Sequence, residues 1–136
     1  RMIVLAWNPG NATISKLPPC HYTFAFNVLG NKLNCHLTQR SGDIALGIPF
    51  NLACYSLLTM MIAKECGYEV GEFAHTIIDA HIYENHIEGL KEQLTREPLK
   101  LAKIKIADKP FNELTFEDIM LEDYESHPVI KFEVAV

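Results

Sequence analysis

From Tyr22 to Val28 the side chains alternate, with Tyr22, Phe24, Phe26 and Val28 on one side of the backbone and Thr23, Ala25 and Asn27 on the other. Successive strand residues point to opposite faces, so this period of two predicts a strand with one covered face. Gly30-Asn31 then fits a tight hairpin turn, and Leu33, Cys35, Leu37 and Gln39 carry the same period along a return strand. Antiparallel pairing across the turn sets the beginning of the first strand opposite the end of the second. Cys20, just before the first strand, is therefore expected beside Arg40 and Ser41.

Other segments read less tightly. Residues 2–7 form an apolar run expected to be a short buried strand, ended by the turn residues Asn8-Pro9-Gly10-Asn11. Residues 16–19 are an extended connector. A loop from Asp43 to Pro49, with Gly42 and Gly47, leads to a helix expected to follow Pro49 and run to about Cys66. That helix is apolar nearly all round, which implies burial on several sides. Residues 72–82 are strand-like, Tyr83, Ile87, Leu90 and Leu94 are spaced for one face of a helix that Pro98 stops, and residues 103–106 suggest another strand. The tail from Phe116 mixes short apolar runs with Asp and Glu.

The 136 residues are one domain's worth of polymer, and the net charge of -5 argues against a broad nucleic-acid or anionic-membrane surface, since both require a basic face. The apolar run from Phe50 to Ala63 contains Asn51, Ser56 and Thr59 and is shorter than the roughly 20 residues of a membrane span, so a core helix is expected. Cys20, Cys35, Cys54 and Cys66 contain no CxxC pair, and no signal-peptide pattern opens the chain. Reduced thiols in a cytosolic protein are the expectation.

Cys20 has the chemistry of a nucleophile, and a nearby cation favours its thiolate; by residue type alone a small buried hydrophobe is the commoner role. His21 is adjacent to it, and neighbours on a strand face opposite ways, which disfavours a Cys-His pair. Arg40 beside Ser41 and Gly42 suits a phosphate, because a guanidinium fork and a hydroxyl offer several donors; a surface ion pair is the bland alternative. Asn51 offers a donor and an acceptor side by side, the complement of a uracil edge, or else it caps the helix. Asp79, His81 and Tyr83 would share a strand face, open to hydroxyl recognition, a metal site or plain packing; the spacing matches no metal motif.

Together, Leu17-Pro18-Pro19-Cys20-His21, Gln39-Arg40-Ser41-Gly42-Asp43, Leu46-Gly47-Ile48-Pro49-Phe50-Asn51 and Asp79-Ala80-His81-Ile82-Tyr83-Glu84-Asn85-His86 closely resemble the thymidylate synthase family in order and spacing. The resemblance runs from Arg1 to Val136. It implies an α+β fold, a mixed sheet with a long buried helix, in which the sheet forms a homodimer interface. It also implies a methyltransferase that converts dUMP to dTMP in the cytoplasm, with 5,10-methylenetetrahydrofolate as co-substrate and no metal.

Carried over residue by residue, the resemblance makes Cys20 the nucleophile at uracil C6. Arg40 and Ser41 would bind the dUMP phosphate, with Gly42 in the same segment, and Arg40 would favour the thiolate. Asn51 would select uracil over cytosine, while His81 and Tyr83, flanking Ile82, would bind the deoxyribose hydroxyl. Asp43 would touch both pyrimidine and folate, Gly47 and Phe50 would line the folate side, and Ala135 with Val136 would close over it. Arg1 would reach the phosphate in the partner subunit's site.

The family's further N-terminal half, with an arginine loop and a catalytic glutamate, finds no counterpart here. The expectation is a single domain over residues 1–136 lacking that half, either the carboxyl portion of a longer enzyme or a shortened member, and fusion to another domain is left open. Two alternatives stand beside synthase activity: a pyrimidine nucleotide hydroxymethylase, and an inactive nucleotide-binding or dimerisation fragment.

Overall fold

A computed structural model describes residues 2–134 and divides the chain into two compact units, Arg1–Ile82 and Tyr83–Val136. The expectations for Arg1, Ala135 and Val136 lie outside the described residues.

The first unit is built on a four-stranded sheet in the order β1-β2-β3-β4, comprising Met2–Leu5, His21–Leu29, Lys32–Asp43 and Glu69–His81. β1, β2 and β3 pair antiparallel, as the alternation predicts for the hairpin, with Leu29 opposite Lys32 and Phe26 opposite Cys35. Gly30 has φ +62°, a left-handed value that costs glycine no Cβ clash. β4 instead pairs parallel to β3. A parallel neighbour needs a crossover, and helix α1, Gly47–Glu65, supplies it.

β3 carries the core. Leu33, Cys35 and Leu37 are buried in a row on its inner face, under Ile48, Thr59 and Ala63 of α1. Tyr55 of the same helix stacks on Phe73 of β4 and meets Phe24 of β2 edge-on. The positions 48, 55, 59 and 63 are the helical spacing of one face.

Three expectations change here. α1 starts at Gly47, two residues before Pro49, because a proline in the first turn gives up only an N–H that has no helical acceptor. Its burial on several sides is not what the structure displays: one face packs on the sheet, while Phe50, Leu52 and Cys54 are exposed. β1 likewise is no buried strand. Among the described residues it pairs only with β2, and all four of its residues are exposed, as fits an edge strand without a covering layer.

The second unit begins with a 3-10 turn, Glu84–His86, and helix α2, Ile87–Leu94, followed by the antiparallel pair β5, Lys103–Ile106, and β6, Ile119–Glu122. β5 falls where expected. α2 ends before Pro98, with Thr95 Oγ1 donating to the Glu92 carbonyl at 2.7 Å. His86 is fully buried and donates through Nε2 to the Glu133 carbonyl at 2.7 Å, while its ring meets Phe132 edge-on. Asp118 closes a capping box with Thr115, and the Lys109 ammonium is the main cause of its carboxyl being pulled down to about 2.

Leu37 is 0% exposed. Leu37→Ala should therefore destabilise the first unit by about 2–5 kcal/mol through lost transfer energy and a residual cavity. Denaturant unfolding checks this, and a change below about 1 kcal/mol would contradict a filled core at this position.

Candidate active site

The antiparallel register brings Cys20 and Arg40 together as expected: the Arg40 amide donates to the Cys20 carbonyl at 2.9 Å. The Arg40 guanidinium folds back along the same loop, Nε donating to the Pro19 carbonyl at 3.1 Å and Nη2 to the Pro18 carbonyl at 2.6 Å. One arginine thus ties down the segment that presents Cys20. A β-bulge between His21 and Thr23 changes the alternation at this end of β2. His21, rather than Tyr22, turns onto Tyr55 at 5.4 Å, and Tyr22 lines a shallow cavity with Trp7 and Arg40. The bulge is invisible in a simple period-two reading.

The last residues of β3 run beside the last residues of β4, with Ser41 opposite Asp79, Gly42 opposite Ala80 and Asp43 opposite His81. Parallel pairing explains why these two motifs, about forty residues apart, end at the same edge of the sheet. A Cβ on Gly42 would stand 2.5 Å from Ile48 Cδ1 and 3.2 Å from Ile77 Cγ2, so any larger residue would have to displace the Ile48 side chain where the strand passes under the first turn of α1. Asp43 Oδ1 accepts the Ala45 amide at 2.9 Å, turning the chain into that helix. Gly47 lies against Asp43 and Asn51, within 3.7 and 3.8 Å of a Cβ built on it. His81 Nδ1 lies 3.3 Å from the Asp79 carbonyl and 3.6 Å from its carboxylate.

The row Leu33, Cys35, Leu37 ends in Gln39, which is 2% exposed. Its Nε2 donates to the Ser41 carbonyl and to Asn51 Oδ1, each at 2.9 Å, and its Oε1 lies 2.9 Å from His75 Nε2. Asn51 is therefore a side chain within α1 and not its cap; Leu46 occupies that position, without a side-chain cap bond. Burial, and then the nearby His21 and His36, push His75 below its ordinary value of 6.5. Burial pushes the Cys35 thiol the other way, above 9.0, although a hydrogen bond with Thr59 opposes the shift.

Cys20, Arg40, Ser41, Gly42, Asp43, Gly47, Asn51 and His81 thus all lie in the first unit, at or near the end of β3. Ile82 closes that unit, while Phe50 is strongly exposed on α1. Tyr83 belongs to the second unit, beyond the strand on which it was expected to follow Asp79 and His81, and its ring meets His86 edge-on. Arg1 and Ala135 lie outside the described residues. Sequence reasoning missed the roles of Gln39 and His75. The signal was present, because a glutamine at the buried phase of an apolar alternation must find partners.

Among the described residues no group of three or more His, Cys, Asp or Glu side chains is placed to hold a metal, and no helix is long and apolar enough to cross a membrane. The family model for thymidylate synthase matches residues 1–136. A thymidylate synthase from Mycoplasma pneumoniae is 54% identical over 137 residues, covering 100% of this chain and 48% of that protein. One from Haloferax volcanii is 40% identical over 185 residues, covering 99% of this chain and 54% of that protein. The chain spans about half the length of these relatives.

His75 generates a testable pH dependence. Its folded value is below 6.5, so the unfolded chain binds the proton more readily and stability is lost as pH falls through 6.5 toward the folded value. Unfolding midpoints of the wild type should decline over that window, and His75→Gln should flatten the decline. An equal slope for both proteins would contradict the assignment.

Proposed function

The chain belongs to the thymidylate synthase family, and on that footing we propose that it carries the catalytic half of a dUMP methylation site. The reaction is reductive methylation of dUMP to dTMP, with 5,10-methylenetetrahydrofolate giving carbon and hydride and leaving as dihydrofolate. Cys20 Sγ adds to uracil C6, and C5, now an enolate carbon, captures the folate methylene. Loss of the C5 proton and of the folate amine gives an exocyclic methylene. Hydride then reduces it as the Sγ–C6 bond breaks.

The observation that carries this reading is the Cys20–Arg40 register, bonded backbone to backbone at 2.9 Å, with the Asn51 amide held by Gln39 on the same strand. The proposed nucleophile and base reader are thus each hydrogen-bonded to β3, the strand that carries the proposed phosphate partner. Arg40 and Ser41 would bind phosphate, His81 and Tyr83 the 3'-hydroxyl, and Asp43, Gly47, Phe50 and Ala135 the folate side. Arg40 turned toward a phosphate would leave the Pro18 and Pro19 carbonyls or share its five donors with them. A homodimer with sheets back to back would cover the exposed side of β1 and bring Arg1 to the partner's phosphate. A cytoplasmic setting would keep the Cys20 thiol reduced.

Intact-mass analysis after incubation with 5-fluoro-dUMP and methylenetetrahydrofolate tests the reading, since the analogue has no C5 proton to lose and traps the ternary adduct. The expected result is a mass gain equal to both ligands, abolished by Cys20→Ser; no adduct on a folded chain would overturn the claim that these residues suffice for the early chemistry.

Asn51→Asp should relax the preference for dUMP over dCMP by about tenfold or more, because the carboxyl can present the complement of cytosine's amino group. An unchanged ratio would remove Asn51 from base recognition.

A further inference from the structure

We infer, on the footing of the nucleotide reading above, that His75 is a positioning residue for base selection, fixing through Gln39 which end of the Asn51 amide faces the pyrimidine.

An amide is a poor discriminator unless its direction is locked. Uracil offers N3–H as donor and O4 as acceptor, whereas cytosine offers N3 as acceptor and its amino group as donor. A half-turn of the Asn51 amide exchanges its own donor and acceptor, so a freely turning side chain would complement both bases. Selection requires something that forbids the half-turn.

Gln39 supplies that restraint. Its Nε2 donates to Asn51 Oδ1 at 2.9 Å, which holds the oxygen end toward Gln39 and leaves one lone pair of Oδ1 and the Nδ2 donors for a ligand. The lock is only as firm as Gln39, itself an amide able to turn. Ser41 contributes a carbonyl, which can only accept, at 2.9 Å from Nε2. His75 closes the other end at 2.9 Å from Oε1, where a proton on its Nε2 is the donor that this oxygen needs.

A flipped Gln39 would then face donor to donor at His75 and acceptor to acceptor at Ser41. With an apolar ring at position 75, only the second clash remains, and the Oε1 end becomes a buried acceptor without a donor. The setting keeps the histidine in this role: its ring lies 5.6 Å from Phe73 in a stacked arrangement, and burial favours its neutral form, in which one nitrogen alone carries the proton. His75 hydrogen-bonds Gln39, which in turn holds Asn51, so its effect is transmitted.

The test compares wild type, His75→Phe and His75→Gln by calorimetric titration of the full chain with dUMP and with dCMP. His75→Phe should narrow the ratio of the two dissociation constants about tenfold, and His75→Gln, which keeps an N–H donor at similar reach, should restore most of it. A purely structural role would weaken both nucleotides equally and leave the ratio alone, which would overturn the inference. Nitrogen-15 NMR of the wild type gives a readout that needs no variant: Nε2 should be protonated and Nδ1 bare, and the reverse tautomer would also overturn it. If wild type shows no preference for dUMP, the nucleotide reading fails and takes this inference with it. A wild-type preference unchanged in His75→Phe would sink the inference alone.

Discussion

A fully covered amide at the end of an apolar strand face is the constraint on which the site depends. Gln39 continues the phase of Leu33, Cys35 and Leu37 and is as buried as they are, but each of its polar atoms must find a partner inside the protein. Those partners come from three places in the chain: its own strand through Ser41, the crossover helix through Asn51 and the parallel strand through His75. The register of β3 and β4 and the seating of α1 are therefore fixed together, since a shift of either would leave a buried acceptor or donor unmet. Apolar packing alone would tolerate more slippage, because it is not directional.

The hairpin was legible because period two is a local signal, and its long-range consequence, Cys20 opposite Arg40, follows from antiparallel geometry without further information. The parallel pairing of β4 was not legible. Residues 72–82 read as a strand, but nothing local states which neighbour a strand chooses or in which direction it runs. The bulge at His21 escaped for a related reason: one extra residue in β2 changes which side chain meets Tyr55, and it is set by what the partner strand and helix accept. Tyr83 was placed by continuing an alternation past the end of β4, where the chain turns into Glu84–His86. Of the candidate residues carried by the resemblance, Arg40, Ser41, Gly42, Asp43 and His81 fall near the edge where β3 and β4 end, whereas the polar contacts around them had to be seen in three dimensions.

Burial in this chain was the hardest quantity to foresee. β1 and the outer side of α1 are as apolar in composition as true core segments, yet the described structure leaves much of both in contact with solvent. Hydrophobic composition states what a segment would gain by being covered and not whether a cover exists. Large apolar surface left open on an edge strand is a liability for a chain in solution. The back-to-back dimer proposed above gives β1 a physical reason to be apolar, and it rests on the same sheet that bears the site.

A part-buried hydrogen-bonded triad centred on a buried glutamine is an expensive way to hold a helix against a sheet. Three apolar side chains of similar volume could fill the space without desolvating amide and imidazole groups, each of which costs about 1–3 kcal/mol if its bonds are imperfect. Polar networks persist in cores where direction matters, since only hydrogen bonds distinguish one end of an amide from the other. In this molecule the directional element points from a strand interior, through Gln39, to the Asn51 amide of α1. The same contacts that fasten α1 to the sheet thus impose an orientation on Asn51, so local stability and the proposed base selection would rest on shared bonds and a substitution in the triad would bear on both.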